Sequence, residues 1–190
     1  MKRKLMIIFS FCLLCFLFVF STNCFADRWL DSVISFDRPE GSSSEGGPAS
    51  NALGANNSTY VSIDIPETLI LAFTDNEVID GTGNDLYIYE VDNGDSWIDV
   101  WASADNISYT NLGQIKINYG FDLSAYGLTT VQYLKFVGVD NGGGSAGFDL
   151  DAVEALHSRD IGTGLPEPAS LLLLGFGLMG LAGARRKIKK

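Results

Sequence analysis

Tyr60-Val61-Ser62-Ile63-Asp64-Ile65 alternates strictly, with Val61, Ile63 and Ile65 on one side and Ser62 and Asp64 on the other. Side chains leave a strand on opposite faces in turn, so a period of two marks a strand with one face against a core. Working outward, the strand pattern recurs in Leu86-Tyr87-Ile88-Tyr89-Glu90-Val91, in Trp97-Ile98-Asp99-Val100-Trp101, and in residues 114–119, 131–137 and 148–153. Leu69-Ile70-Leu71-Ala72-Phe73 is a continuous apolar run and predicts a strand buried on both faces. Turn clusters separate these runs: residues 80–85, Asp92-Asn93-Gly94-Asp95 and Asn141-Gly142-Gly143-Gly144. Ser42-Ser43-Ser44-Glu45-Gly46-Gly47-Pro48 reads as an early loop. No helical stripe runs between residues 27 and 165, and residues 124–128 predict only a short turn. Many short strands with Gly and Asp turns predict an all-β fold, an antiparallel jelly-roll β-sandwich.

Both ends differ in kind. Lys2-Arg3-Lys4 precedes a stretch, residues 5–20, that is apolar apart from Ser10. Cys24-Phe25-Ala26 then supplies small residues at −3 and −1, which predicts a signal peptide over 1–26 cut after Ala26 by signal peptidase. Lipid attachment at Cys24 is the competing reading and would want a small residue where Asn23 stands. At the other end Pro166-Glu167-Pro168 precedes an uncharged apolar run, residues 169–184, and then Arg185-Arg186-Lys187-Ile188-Lys189-Lys190. As a helix the run reaches about 24 Å, slightly short of a hydrocarbon core of about 30 Å. The basic cluster after it fits a cytoplasmic end. An ordinary C-terminal membrane anchor is one reading of this run. The organisation expected is a signal peptide (1–26), a sandwich domain (27–157), a Gly-containing linker (158–165) and a terminal address segment (166–190).

Removing the ends sharpens the composition. Cys12, Cys15 and Cys24 all lie in the signal peptide, so the exported domain has no thiol to form a disulfide. Between Asp27 and Glu167, five basic residues face 23 acidic ones, a formal balance of −18 against −10 for the whole chain. Such a surface repels nucleic acid and anionic lipid, which require basic patches.

Two uses for the acids compete: solvated turns, or a structural calcium site. Ca²⁺ takes six to eight oxygens at about 2.3–2.6 Å. Residues 75–85 read as one loop offering Asp75, Asn76, Glu77, Asp80, Asn84 and Asp85. Asp149 and Asp151 point to one face of their strand. If the sheet sets that face beside the loop, the expected ligands are Asp75, Asp80, Asn84, Asp85, Asp149 and Asp151. Asp92-Asn93-Gly94-Asp95 lacks the EF-hand series, and zinc is disfavoured with only His157 and no Cys. His157 is expected to face solvent. No catalytic residue is assigned, because no nucleophile elbow is present and a chance carboxylate pair among 23 acids carries no weight.

Trp97 and Trp101 share one strand face with Asp99 between them, while Ile98 and Val100 take the other. If Ile98 and Val100 are inside, the two rings lie outside, as glycan stacking requires. If the rings are inside, Asp99 is a buried acid.

The order Pro166-Glu167-Pro168, apolar Gly-rich helix and Arg-rich end resembles the PEP-CTERM sorting signal of Gram-negative bacteria. The LPxTG sortase signal is a poorer fit, because Ala169 follows Pro168. The resemblance implies transient anchoring in the inner membrane by 169–184 and cutting near the Pro-Glu-Pro by an exosortase-type enzyme. It further implies delivery to the cell surface or the exopolysaccharide matrix. Within the domain, Asn51-Ala52-Leu53-Gly54 with Tyr60-Val61-Ser62-Ile63 resembles the opening of discoidin-like, galactose-binding-like jelly rolls. Leu71-Ala72-Phe73-Thr74-Asp75-Asn76 with Asp80-Gly81 and residues 84–90, and the closing Gly147-Phe148-Asp149-Leu150-Asp151-Ala152-Val153, resemble later parts of the same domains. Ile63-Asp64 departs from their usual Leu-Gly. Together these imply a non-catalytic exported protein that binds polysaccharide or builds the matrix. The alternatives are a secreted glycan hydrolase and a purely structural matrix protein.

Overall fold

Every strand pairing among the described residues is antiparallel. The computed structural model describes residues 28–38, 46–91, 96–139 and 147–161, together with Gly175. Ala26–Thr163 forms one compact unit. Ala26, the motif Pro166, Glu167 and Pro168, the run 169–184 apart from Gly175, and the turns at 92–95 and 141–144 lie outside the described residues. Among the described residues no helix is long and apolar enough to cross a membrane.

The strands are β1 (Ser32–Asp37), β2 (Val61–Ile63), β3 (Thr68–Ala72), β4 (Asn76–Ile79), β5 (Leu86–Glu90), β6 (Ile98–Ser103), β7 (Thr110–Ile115), β8 (Tyr119–Phe121), β9 (Thr130–Val131), β10 (Tyr133–Gly138), β11 (Phe148–Ala155) and β12 (Ser158–Asp160). They form a five-stranded sheet in the order β1-β3-β10-β6-β7 and a four-stranded sheet in the order β2-β11-β5-β8. A small third sheet has the order β12-β4-β9. The inward residues of the two larger sheets make one core: Leu69, Leu71, Ile98, Val100, Leu134 and Phe136 from one, and Val61, Ile63, Ile88, Phe121, Phe148 and Leu150 from the other. A fully buried side chain such as Phe136 or Phe148 contributes about 1.5–3 kcal/mol relative to leaving it in water. This is the all-β antiparallel sandwich that the alternation predicts.

The departures have local causes. Residues 114–119 are not one strand: β7 ends at Ile115, β8 starts at Tyr119, and Ile117 between them is 55% exposed. β7 pairs with β6 in one sheet and β8 with β5 in the other, so the chain must break its pairing to cross. Residues 75–85 are not one loop, because Asn76–Ile79 forms β4 between β12 and β9. The linker expected from residue 158 begins as β12, which pairs with β4. Ile70 on β3 is only half-buried while Ala72 on the same face is 0% exposed, so the second face of that strand is covered only in part.

β11 explains its own sequence. All eight of its residues are buried. A bulge opposite β5 falls between Leu150 and Ala152, leaving Asp151 without a partner in the ladder. The extra residue shifts the alternation: Phe148 and Leu150 join the core before it, Val153 and Ala155 after it. Gly147 enters the strand with φ +93°, and a Cβ there would lie 2.8 Å from the Ile63 carbonyl carbon, so glycine is required.

Candidate functional site

The outer face of the five-stranded sheet decides the tryptophan alternative. Ile98, Val100 and Ala102 are 0% exposed, which turns Trp97, Asp99 and Trp101 outward. Trp97 is 40% exposed and Trp101 half-buried. β10 runs beside β6 with Lys135 opposite Trp101. The Lys135 ammonium lies 4.8 Å from the centre of the Trp101 ring and 4.4 Å from that of Tyr109. Tyr109 is delivered by the β6–β7 turn, which Asp105 organises by accepting from Ser103 Oγ at 3.0 Å and from the Ile107 and Ser108 amides at 2.9 Å each. The Ser108 and Ile107 amides and then the Ser103 hydroxyl hold the Asp105 carboxyl below its ordinary pKa. Lys116, just after β7, sits 5.8 Å from the Trp97 ring centre. The arrangement offers aromatic surface, a carboxylate acceptor and ammonium donors on one face, the chemistry that recognises a sugar chain.

The acids expected as calcium ligands divide into separate groups. Asp80, Asp85 and Asp122 each bring an oxygen within 4.8 Å of the others, a group able to hold a metal ion. Oxygen atoms about 2.4 Å from one ion lie at most about 4.8 Å apart, and an all-carboxylate set suits a hard cation such as Ca²⁺ rather than zinc. Asp85 is also structural: it is 0% exposed and accepts from the Leu123 amide at 2.8 Å and the Gly81 amide at 2.7 Å. His157 Nδ1 stands 2.8 Å from the same Asp85 oxygen, so His157 is engaged at this cluster instead of simply facing solvent.

The other predicted ligands sit elsewhere. Asp75 lies before β4 and Asp80 after it, and four strand residues span about 13 Å. The Asp75 carbonyl accepts from the Ile161 amide. Asn84 is exposed with its side chain over Gly120. Asp149 accepts from Ser62 Oγ, and Asp151 accepts from the Asn57 and Ser58 amides at 3.2 and 3.0 Å. Asp85 precedes β5, while the Val91 amide just after β5 bonds the Asp149 carbonyl. Five strand residues span about 17 Å, so the six expected ligands do not form one site. The residue that sequence reasoning missed is Asp122. Its signal is the Asp122-Leu123-Ser124 cap, in which Asp122 accepts from the Ser124 amide at 3.0 Å to start the 3₁₀ turn Leu123–Tyr126. Nothing local marks its approach to Asp85.

Comparisons with known proteins add the following. The C-terminal domain of a chitobiase from Bacteroides fragilis is similar in structure at 17% identity and TM-score 0.48, covering 72% of this chain and 97% of that one. CBM32-1 from a family 31 glycoside hydrolase of Clostridium perfringens is similar at 15% identity and TM-score 0.39, covering 68% and 97%. No curated protein is significantly similar in sequence. Residues 165–187 match the PEP-CTERM protein-sorting motif, which implies export, sorting to the cell surface and exosortase processing.

Proposed function

We propose that this is an exported, non-catalytic protein that binds polysaccharide at the cell surface or in the extracellular matrix. The observation that carries the reading is the outward row Trp97, Asp99 and Trp101 beside Lys135, on a chain ending in a sorting motif. In this reading the jelly-roll domain runs from 27 to 157, β12 (Ser158–Asp160) extends it by pairing with β4, and a short linker follows to residue 165. Signal peptidase cuts after Ala26. Residues 169–184 hold the chain in the inner membrane until an exosortase-type enzyme cuts near Pro166, Glu167 and Pro168. Ca²⁺ is the cation proposed for Asp80, Asp85 and Asp122, where it ties the 80–85 turn to the start of the 3₁₀ turn.

Retention on immobilised polysaccharides, with and without EDTA, tests binding, and analysis of the eluted glycan tests turnover. Binding without product is the expected result. Product formation abolished by one acid substitution would establish a hydrolase instead. Retention on no polysaccharide favours the purely structural matrix protein. Millimolar Ca²⁺ is expected to raise the melting temperature, and an Asp80→Ala/Asp122→Ala variant to lose that rise. Identical melting with and without Ca²⁺ in the unsubstituted protein removes the ion from the account.

A further inference from the structure

We infer that the outward face of the five-stranded sheet selects acidic polysaccharide, a chain whose sugars carry carboxylates, and that Lys135 reads that charge. The inference rests on the proposed glycan role of this face and names the class of chain it takes. The exported segment has only five basic residues. Arg28 pairs with Glu154 at 2.9 Å, Arg38 with Glu67 at 2.9 Å and Arg159 with Glu77 at 2.6 Å. Among the described residues Lys116 and Lys135 have no carboxylate at ion-pair distance, and these are the two that lie against Trp97 and Trp101.

In a segment with 23 acids, the two cations that make no ion pair among the described residues lie on one face, along the row that holds Asp99. Lys135 lies close to two rings, at 4.8 Å from Trp101 and 4.4 Å from Tyr109. Ring attraction of about 0.5–1 kcal/mol orders an ammonium at an exposed site without neutralising it. Its donors stay available to a carboxylate. Trp101 against it, with Asp99 and Trp97 further along the same row, supplies stacking and an acceptor for sugar hydroxyls. The acidity of the rest of the domain repels a polyanion at a distance, but that repulsion decays over about 8 Å at physiological ionic strength. A single polysaccharide chain can touch this face alone. A flat anionic bilayer presents its charge to far more of the acidic domain.

The test uses the full-length chain in non-ionic detergent at physiological ionic strength, with polygalacturonate, its methyl-esterified form and a neutral glucan as probes. The free acid is expected to bind at least tenfold more tightly than its ester. Lys135→Gln is expected to abolish that preference, Lys116→Gln to reduce it, and Lys135→Arg to keep it. Equal binding of acid and ester, or a preference that survives Lys135→Gln, overturns the inference while leaving polysaccharide binding in place. Binding of none of the three probes overturns both. Anionic phospholipid vesicles that bind as strongly as polygalacturonate would reassign the face to a membrane.

Discussion

The two large sheets use their outward faces in opposite ways. On the four-stranded sheet, the polar groups of β11 are bonded within the protein: Asp149 to Ser62, Asp151 to the Asn57 and Ser58 amides, and Glu154 to Arg28 and to the Tyr89 hydroxyl. On the five-stranded sheet, Trp97 keeps 40% of its surface in water, and Lys116 and Lys135 meet rings instead of carboxylates. The difference teaches that an acid in this chain is more often a fastener than a ligand. The groups available for recognition are those that make no strong internal bond.

The largest effect should come from the most deeply bonded acid. Asp85→Ala leaves the Leu123 and Gly81 amides without their acceptor and is expected to cost about 2–4 kcal/mol in denaturant unfolding, with Asp85→Asn costing less. A loss below about 0.5 kcal/mol would mean that Asp85 serves a ligand and not the fold. Asp151→Ala removes the acceptor for two loop amides at the β11 bulge and is expected to cost about 1–2 kcal/mol without changing glycan binding. Trp97→Ala, on the other face, should change stability by less than about 1 kcal/mol. If it destabilises as much as Asp151→Ala, the contrast between the faces fails.

The smallest effect lies at alkaline pH. The hydrogen bond to Glu154, then burial, pushes the Tyr89 hydroxyl up from 10.0 to about 12. A pKa raised on folding favours the neutral phenol in the native state. Its contribution is therefore complete below about pH 10 and is lost as pH rises towards 12. Burial also raises the Tyr109 and Tyr126 hydroxyls, so ultraviolet titration should show several late phenolates, of which Tyr89→Phe removes one. Titration of Tyr89 together with the exposed tyrosines would mean that the Glu154 contact is absent in solution.

The alternation in residues 60–65, 86–91 and 97–101 made the sandwich legible, because a period of two needs no knowledge of the partner strand. Strand exchange between sheets was not legible. Residues 114–119 keep the alternation through Ile117 although the chain leaves one sheet there for the other. β4 and β12 do not show in the alternation because each has only three or four residues, and they exist through pairing with each other across more than 70 residues of chain. At the candidate sites, Trp97, Trp101, Asp80 and Asp85 were visible as residue types. Three features came only from tertiary structure: Asp122 beside Asp85, His157 against Asp85, and Lys135 opposite Trp101. The bulge at Asp151 shows the limit of the alternation rule further along β11, since one extra residue resets the phase and brings Val153 instead of Ala152 into the core.

Contact between the Trp97–Trp101 face and polysaccharide can be read from tryptophan fluorescence during titration with an acidic polysaccharide. The chain has three tryptophans, Trp29, Trp97 and Trp101, so removing the outer two isolates the third. A saturable change is expected in the unsubstituted protein, diminished by Trp97→Phe and abolished by Trp97→Phe/Trp101→Phe, with the fold intact by circular dichroism. Retention with undiminished affinity by the doubly substituted protein on the same polysaccharide would contradict it.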